Sequence, residues 1–357
     1  MAGRQAVLGG DARDARDARD AGEGAAPVAT LRAHGERHPL REVFRISRAA
    51  FTHSQMVVAE IRHGAHTGRG ECEPHESDLA AVQPVIDSIE ALAGDVARGL
   101  DRHELSARLP AGPARNALDC ALWDIEAKRS GRRAHEIAGL AAPRAVPTVF
   151  TLGIDAPAAM AAKAAAMPAW RRFKIKLGGG AEPELDLERV AAVRRARPDV
   201  EIIVDANGGW SVAHLGKMSA RLAALGVALI EQPLLPGLDA PLADYDGPVP
   251  LCADESCLDR ASLAQVTGRY AYINIKLDKT GGLTEALALA TQAEAAGLGI
   301  MVGCMTGTSL AMAPAFLVAQ RARFIDLDGP LLLAEDRPHG MRYADGMVHP
   351  PEPQLWG

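Results

Sequence analysis

Eight short apolar runs spaced by helical stretches fill the chain beyond Pro143, and they limit its fold more than any other feature. The runs fall at residues 146–148, 173–176, 202–205, 229–231, 249–253, 272–276, 299–302 and 324–326. Helical periodicity at 187–197, 213–225 and 284–296 lies between some of them. Strand and helix in alternation predict a parallel sheet, and eight such runs predict a barrel rather than an open sheet. The stretch after Asp328 is short and rich in Pro and Gly, poor material for an eighth helix. The expected fold class is therefore an α/β barrel, a modified TIM barrel of the form (β/α)7β.

The first part of the chain reads differently. Runs at 43–46, 55–61 and 68–72 are strand-like, with loops at His63-Gly64 and Glu73-Pro74. From 78 to 140 helical stripes take over, one through Val82, Val85, Ile86, Ile89 and Leu92, another through Ala117, Leu118, Cys120, Ala121 and Ile125. A meander followed by helices is an α+β domain. The expected division is a disordered tail at 1–28, an α+β domain at 29–142, the barrel at 143–330, and a segment at 331–357 that returns to the first domain. The tail is inferred from its Asp-Ala-Arg repeat, which carries charge on every face and offers nothing to dock.

Composition narrows the partners. A formal net charge of −6 gives no reason to expect nucleic acid or an anionic membrane. No apolar run approaches the ~20 residues of a membrane-spanning helix. The five cysteines form no C-x-x-C pair, so a reducing, cytoplasmic home with unpaired thiols is expected.

Within the second run, Phe173-Lys174-Ile175-Lys176-Leu177-Gly178, alternation sends Lys174 and Lys176 to one face. Two ammonium groups beside apolar neighbours are expensive unless a site needs them. Asp205, Glu231 and Asp254 end three successive runs, each followed by polar or turn residues, and Lys276 ends another. Active sites of such barrels lie at the C-terminal strand ends. Taken singly, each acid could as well cap the next helix or meet a surface lysine. Taken together, three oxygen ligands without His or Cys suit one hard cation such as Mg²⁺. Lys176 and Lys276 would face each other across it as two bases, their pKa lowered by the cation and by Lys174. Asn207 is a supporting residue, and Glu255 is expected to hydrogen-bond Lys276 and orient it.

The pattern Lys174-x-Lys176, Asp205, Glu231, Asp254 and Lys276 resembles the enolase superfamily, in its muconate-lactonising subgroup, from Leu31 onward. That superfamily's lysine bases and Mg²⁺ are a known case of pKa tuning. The resemblance makes the first domain a capping domain. Asn274-Ile-Lys276-Leu-Asp278-Lys-Thr280-Gly-Gly, Gly303-Cys-Met-Thr-Gly-Thr-Ser309-Leu and Asp326-Leu-Asp328-Gly are similar to dipeptide epimerases of the L-Ala-D/L-Glu type. That likeness implies an isomerase inverting the C-terminal residue of a dipeptide by two-base 1,1-proton transfer through a Mg²⁺-stabilised enediolate. It implies that Asp326 and Asp328 grip the substrate ammonium, that Lys174 is a substrate-binding residue, and that Arg48 meets an acidic side chain. A homo-oligomer acting on a small-molecule dipeptide, with one Mg²⁺, is the expectation. N-acylamino-acid racemase and o-succinylbenzoate synthase use the same scaffold, and a non-catalytic metal- or peptide-binding barrel is the alternative outside enzymes.

Overall fold

The computed structural model describes residues 28–47, 49–74, 81–178, 180 and 183–357. The tail expected at 1–28 lies, but for Val28, outside the described residues, as does Arg48.

Three antiparallel strands open the described chain: β1 (Thr30–Arg45), β2 (Ala50–His63) and β3 (His66–Cys72), in the order β1-β2-β3. The run expected at 43–46 is only the end of β1. Its earlier half was hidden because its outer face is charged and its register shifts between Pro39 and Phe44. Gly68 and Gly70 let β3 touch the helix Pro113–Ser130 at backbone distance. A Cβ on Gly70 would stand 2.1 Å from Ala117 O, and one on Gly68 2.5 Å from Ala121 O. That helix begins with Pro113 in its first turn and ends at Gly131, whose φ of 69° is a left-handed cap. Its stripe Ala117, Leu118, Ala121 and Ile125 packs with Val57, Ala59 and Ile61 of β2 into the capping-domain core.

The barrel strands are β5 (Phe150–Leu152), β6 (Arg172–Lys176), β7 (Glu201–Asp205), β8 (Val227–Glu231), β9 (Leu251–Ala253), β10 (Tyr272–Ile275), β11 (Gly299–Val302) and β12 (Phe324–Ile325). They form one sheet in sequential order, parallel throughout. Its two edges meet where Val149 N–H donates to Ile325 O (2.9 Å) and Leu327 N–H to Thr148 Oγ1 (3.0 Å). The first run was misplaced. Val146–Pro147 (β4) belongs to a small sheet with Tyr343–Ala344 (β13) and Met347–Val348 (β14), and the barrel begins three residues later.

Alternation sorts the side chains of each strand. Outward residues such as Phe173, Ile175, Val204, Ile230 and Ile273 join the surrounding helices in the main core. Inward, Val149, Ile203, Leu229, Cys252, Met301 and Phe324 form a separate apolar plug. Two residues further along the same faces come Thr151, Asp205, Glu231, Asp254, Gly303 and Asp326. The polar site therefore rests on an apolar floor.

The chain's end ties the two domains together. Gly357 O accepts from Ala134 N–H (3.0 Å), and Trp356 Nε1 donates to Cys120 O (3.0 Å). Arg337 bridges Glu36 of β1 (2.6 Å) and Glu71 of β3 (2.7 Å), and Glu71 also accepts from Thr308 N–H (2.7 Å). Burial alone would raise the Glu36 carboxyl, but Arg337 and the neighbouring His38 outweigh it and hold it at about 2. Its contribution to stability is therefore present above the ordinary carboxylate range and fades as pH falls toward 2. Arg337→Ala would leave Glu71, 1 % exposed, without its cation. Breaking a buried pair costs ~3–5 kcal/mol. We expect about 3 kcal/mol by urea denaturation at pH 7, the lower end, since the Thr308 bonds remain.

Candidate active site

Every described candidate lies at the C-terminal mouth of the barrel. Asp205 and Glu231 are the last residues of β7 and β8, and Asp254 follows β9 directly. All three are fully buried. Their ligand oxygens lie within 4.8 Å of one another, which among the described residues makes them the only such cluster of His, Cys, Asp or Glu. Lys174 and Lys176 project from β6 to the same interior, and Lys276 follows β10. Lys174, Lys176, Lys276, Asp326 and Asp328 line one cleft with Thr151, Cys304 and Met305, and Phe44 and Ile46 of the capping domain close its side.

Lys174, 1 % exposed, sits deepest. Its Nζ lies 3.1 Å from Asp205 Oδ2, 2.7 Å from Glu231 Oε2 and 2.7 Å from Asp326 Oδ2. Lys176 Nζ donates to Asp205 Oδ2 (2.6 Å) and Asn207 Oδ1 (3.1 Å). Lys276 Nζ donates to Asp254 Oδ2 (2.8 Å). Asn207 holds a left-handed φ of 44°, and its N–H donates to Asp205 Oδ1 (2.8 Å). Glu255 does not orient Lys276 by a hydrogen bond. Its Oε1 instead accepts from Asn207 Nδ2 (3.4 Å), while Asp254 takes a hydrogen bond from the lysine.

The charges set the titration. Burial would raise Asp205, but Lys176 and Lys174 hold it at about 2. Burial, with Asp205 beside it, pushes Glu231 up to about 8. Burial would lower Lys276, yet Asp254 foremost keeps it well above its ordinary value, outweighing Lys174. The lowering expected from the sequence rests on a bound cation as well as on Lys174, and a cation held by these carboxylates would weaken the grip of Asp254 on Lys276. Burial and then Asp326 push Asp328 up to about 8, while Lys174 overrides burial and keeps Asp326 low. Asp328 Oδ2 accepts from Thr151 N–H (2.6 Å), so the pair is fixed across the sheet's closing edge.

The carboxylates fit a hard cation by an observation of their own. Glu231 Oε2 and Asp254 Oδ1 are buried without an aligned hydrogen bond, with only Lys174 and Lys279 Nζ near them at 2.7 and 2.6 Å. Two such oxygens beside Asp205, in a cluster of three carboxylates with no His or Cys, are the donor set of Mg²⁺ or a similar ion.

Three residues at the site escaped the sequence reading. Asn274 Nδ2 donates to Glu231 Oε1 (2.7 Å); its place two residues before Lys276, on the same face, was the available signal. Lys279 Nζ holds Asp254 Oδ1 and the carbonyls of Cys257 (3.1 Å) and Asn274 (2.9 Å). Gln232 Oε1 accepts from Asp254 N–H (2.8 Å) with its backbone at φ 35°, and no pattern marks it. The capping-domain turn reaches the mouth as well. A Cβ on Gly209 would stand 2.6 Å from Ser47 Oγ, so the Gly208-Gly209 turn is the seat for that loop.

Residues 28–139 match the mandelate racemase / muconate lactonizing enzyme N-terminal domain, and 156–354 the enolase C-terminal domain-like family. The L-Ala-D/L-Glu epimerase of Escherichia coli (strain K12) is 41% identical over 90% of this chain and 100% of its own. The N-acetyl-D-glutamate racemase of a Pseudoalteromonas species is 44% identical over 85% of this chain and 95% of its own. An enolase family member from Agrobacterium tumefaciens with homology to dipeptide epimerases, solved with sodium and L-Ala-L-Glu, superposes with a TM-score of 0.88 at 48% identity, covering 92% of this chain and 100% of that one. The dipeptide epimerase of Methylococcus capsulatus, complexed with Mg and L-Arg-D-Lys, gives 0.83 at 31%, covering 91% and 98%.

Proposed function

This chain belongs to the mandelate racemase / muconate lactonizing enzyme family of enolase-like proteins, and from that premise we propose that it is a dipeptide epimerase. It inverts the α-carbon of the C-terminal residue by two-base proton transfer. The observation that carries this is the convergence of Lys176, Lys276 and the Asp326–Asp328 pair on one cleft above three buried carboxylates.

Asp205, Glu231 and Asp254 would hold one Mg²⁺, the ion found with the Methylococcus relative's dipeptide. Bound there, the ion would supply positive charge against the substrate carboxylate and the second negative charge that forms as the α-proton leaves. Lys176 and Lys276 are the two bases. The neutral lysine removes the α-proton while the opposite ammonium delivers another to the other face, so the two exchange protonation states in each turnover. Lys174 neutralises the carboxylates beneath them and aims Asp326. Asp326 and Asp328 take the substrate ammonium. Arg48, between β1 and β2 in sequence, meets an acidic C-terminal side chain, in keeping with the relatives named for L-Ala-D/L-Glu. A reducing cytoplasm suits the five free cysteines, and among the described residues no helix is long and apolar enough to cross a membrane.

The Pseudoalteromonas relative favours a second reading, racemisation of an N-acylated amino acid. The two differ in whether the substrate brings a free ammonium to Asp326 and Asp328. Hydrogen bonds to charged groups are worth ~1.5–3 kcal/mol, so wild type should prefer L-Ala-L-Glu over its N-acetyl form by ~10–100-fold in kcat/KM. Asp326→Asn and Asp328→Asn should narrow that gap. Equal turnover of both substrates by the wild type would favour the racemase.

A further inference from the structure

We propose that Asn274 is a positioning residue for the cation centre, its amide fixing Glu231 while Gly303 provides the space the amide occupies. The proposal rests on the reading that Asp205, Glu231 and Asp254 hold Mg²⁺.

Glu231 is hydrogen-bonded at one oxygen and faces only an ion pair at the other. Asn274 Nδ2 donates to Oε1 at 2.7 Å, and Lys174 Nζ stands 2.7 Å from Oε2. The same Nζ lies 3.1 Å from Asp205 Oδ2, so Oε2 is the oxygen on the side of the other carboxylates. Holding Oε1 fixes the carboxylate plane and turns Oε2 toward them. With a cation bound Glu231 is ionised, and the amide then has one orientation, since turning it over would set its carbonyl oxygen against a carboxylate.

Asn274 is 1 % exposed, and its Oδ1 is buried with no hydrogen-bond partner. A buried polar atom left unmatched costs ~1–3 kcal/mol, so stability alone does not account for an asparagine here. An aspartate would remove the donor and add a fourth carboxylate to the cluster. An alanine would leave Glu231 Oε1 without its donor. The donor toward Glu231 is the one thing this residue supplies.

Gly303 bears this out from the neighbouring strand. It follows β11 directly, and its N–H donates to Ile275 O at 3.0 Å. Its φ is outside the left-handed region, so the backbone there does not call for glycine. What calls for it is Asn274. A Cβ at 303 would stand 2.7 Å from both Nδ2 and Oδ1 and 3.1 Å from Cγ. Even alanine would push the amide off its line to Glu231.

The test is calorimetric titration with Mg²⁺ of wild type, Asn274→Ala, Gly303→Ala and the double variant, with melting curves of each in chelator. Outer partners of metal ligands typically contribute 10–100-fold to affinity. Asn274→Ala is expected to weaken Mg²⁺ binding by ~10-fold or more with little change in chelator melting temperature. Gly303→Ala, which keeps the asparagine, should weaken it likewise. In the double variant the second substitution should add nothing, because alanine at 274 leaves the new methyl its room. Wild-type Mg²⁺ affinity in Asn274→Ala, with or without a lower melting temperature, would overturn the proposal, as would losses that multiply in the double variant. A wild type that binds no Mg²⁺ would overturn the three-carboxylate reading and this proposal with it.

Discussion

Replacing Lys276 with alanine is expected to lower kcat/KM for epimerisation by ~10²–10⁴-fold, the usual loss for a positioned base, and Lys176→Ala should do the same. The two variants should differ in what survives. A lysine that serves one face of the α-carbon can still exchange the proton of one epimer when its opposite is gone. Each variant should therefore wash deuterium from D₂O into one epimer only, and the two should choose different epimers. Lys276 and Lys176 reach the cleft from β10 and β6 and are held by different carboxylates, Asp254 and Asp205, which is why separate faces are expected. Interconversion of both epimers at the normal rate by either variant would make that lysine structural.

Removing the cation should cost at least as much. The carboxylate centre concentrates buried negative charge, and deprotonating the substrate adds more beside it. A bound metal contributes several kcal/mol against that charge, ~10³-fold in rate or more. Chelation should abolish turnover and added Mg²⁺ restore it. Asp205→Asn and Glu231→Gln should match chelation in rate while leaving the circular dichroism spectrum of the fold unchanged. Full activity in excess chelator would remove the basis for assigning these three residues.

Much of this centre was legible because strand alternation is strict. Lys174 and Lys176 share a face, and the sheet register sets Asp205 beside Lys176 and Glu231 beside Asp205, with Asp254 just beyond β9. Asn274 obeys the same rule and was passed over only because an asparagine carries no charge to notice. The failures have physical causes too. Residues 146–152 form one apolar stretch, and nothing in its pattern says that Val146 pairs with the tail while Phe150 begins the barrel. Glu255 was given Lys276 as a partner because the two charges complement. Neighbouring residues at a strand end point different ways, however, and Asp254 is the one whose carboxylate accepts from the lysine. Gln232 and Lys279 act through backbone groups brought together only by folding.

The central claim is that the α-proton of a dipeptide's C-terminal residue is removed and returned on the opposite face. Proton NMR of L-Ala-L-Glu with the wild-type enzyme and Mg²⁺ in D₂O reads that event directly. The glutamate α-proton signal should disappear as L-Ala-D-Glu forms, while the alanine α-proton keeps its full intensity. No exchange at the C-terminal α-carbon of this or any other dipeptide in a broad panel would contradict the assignment.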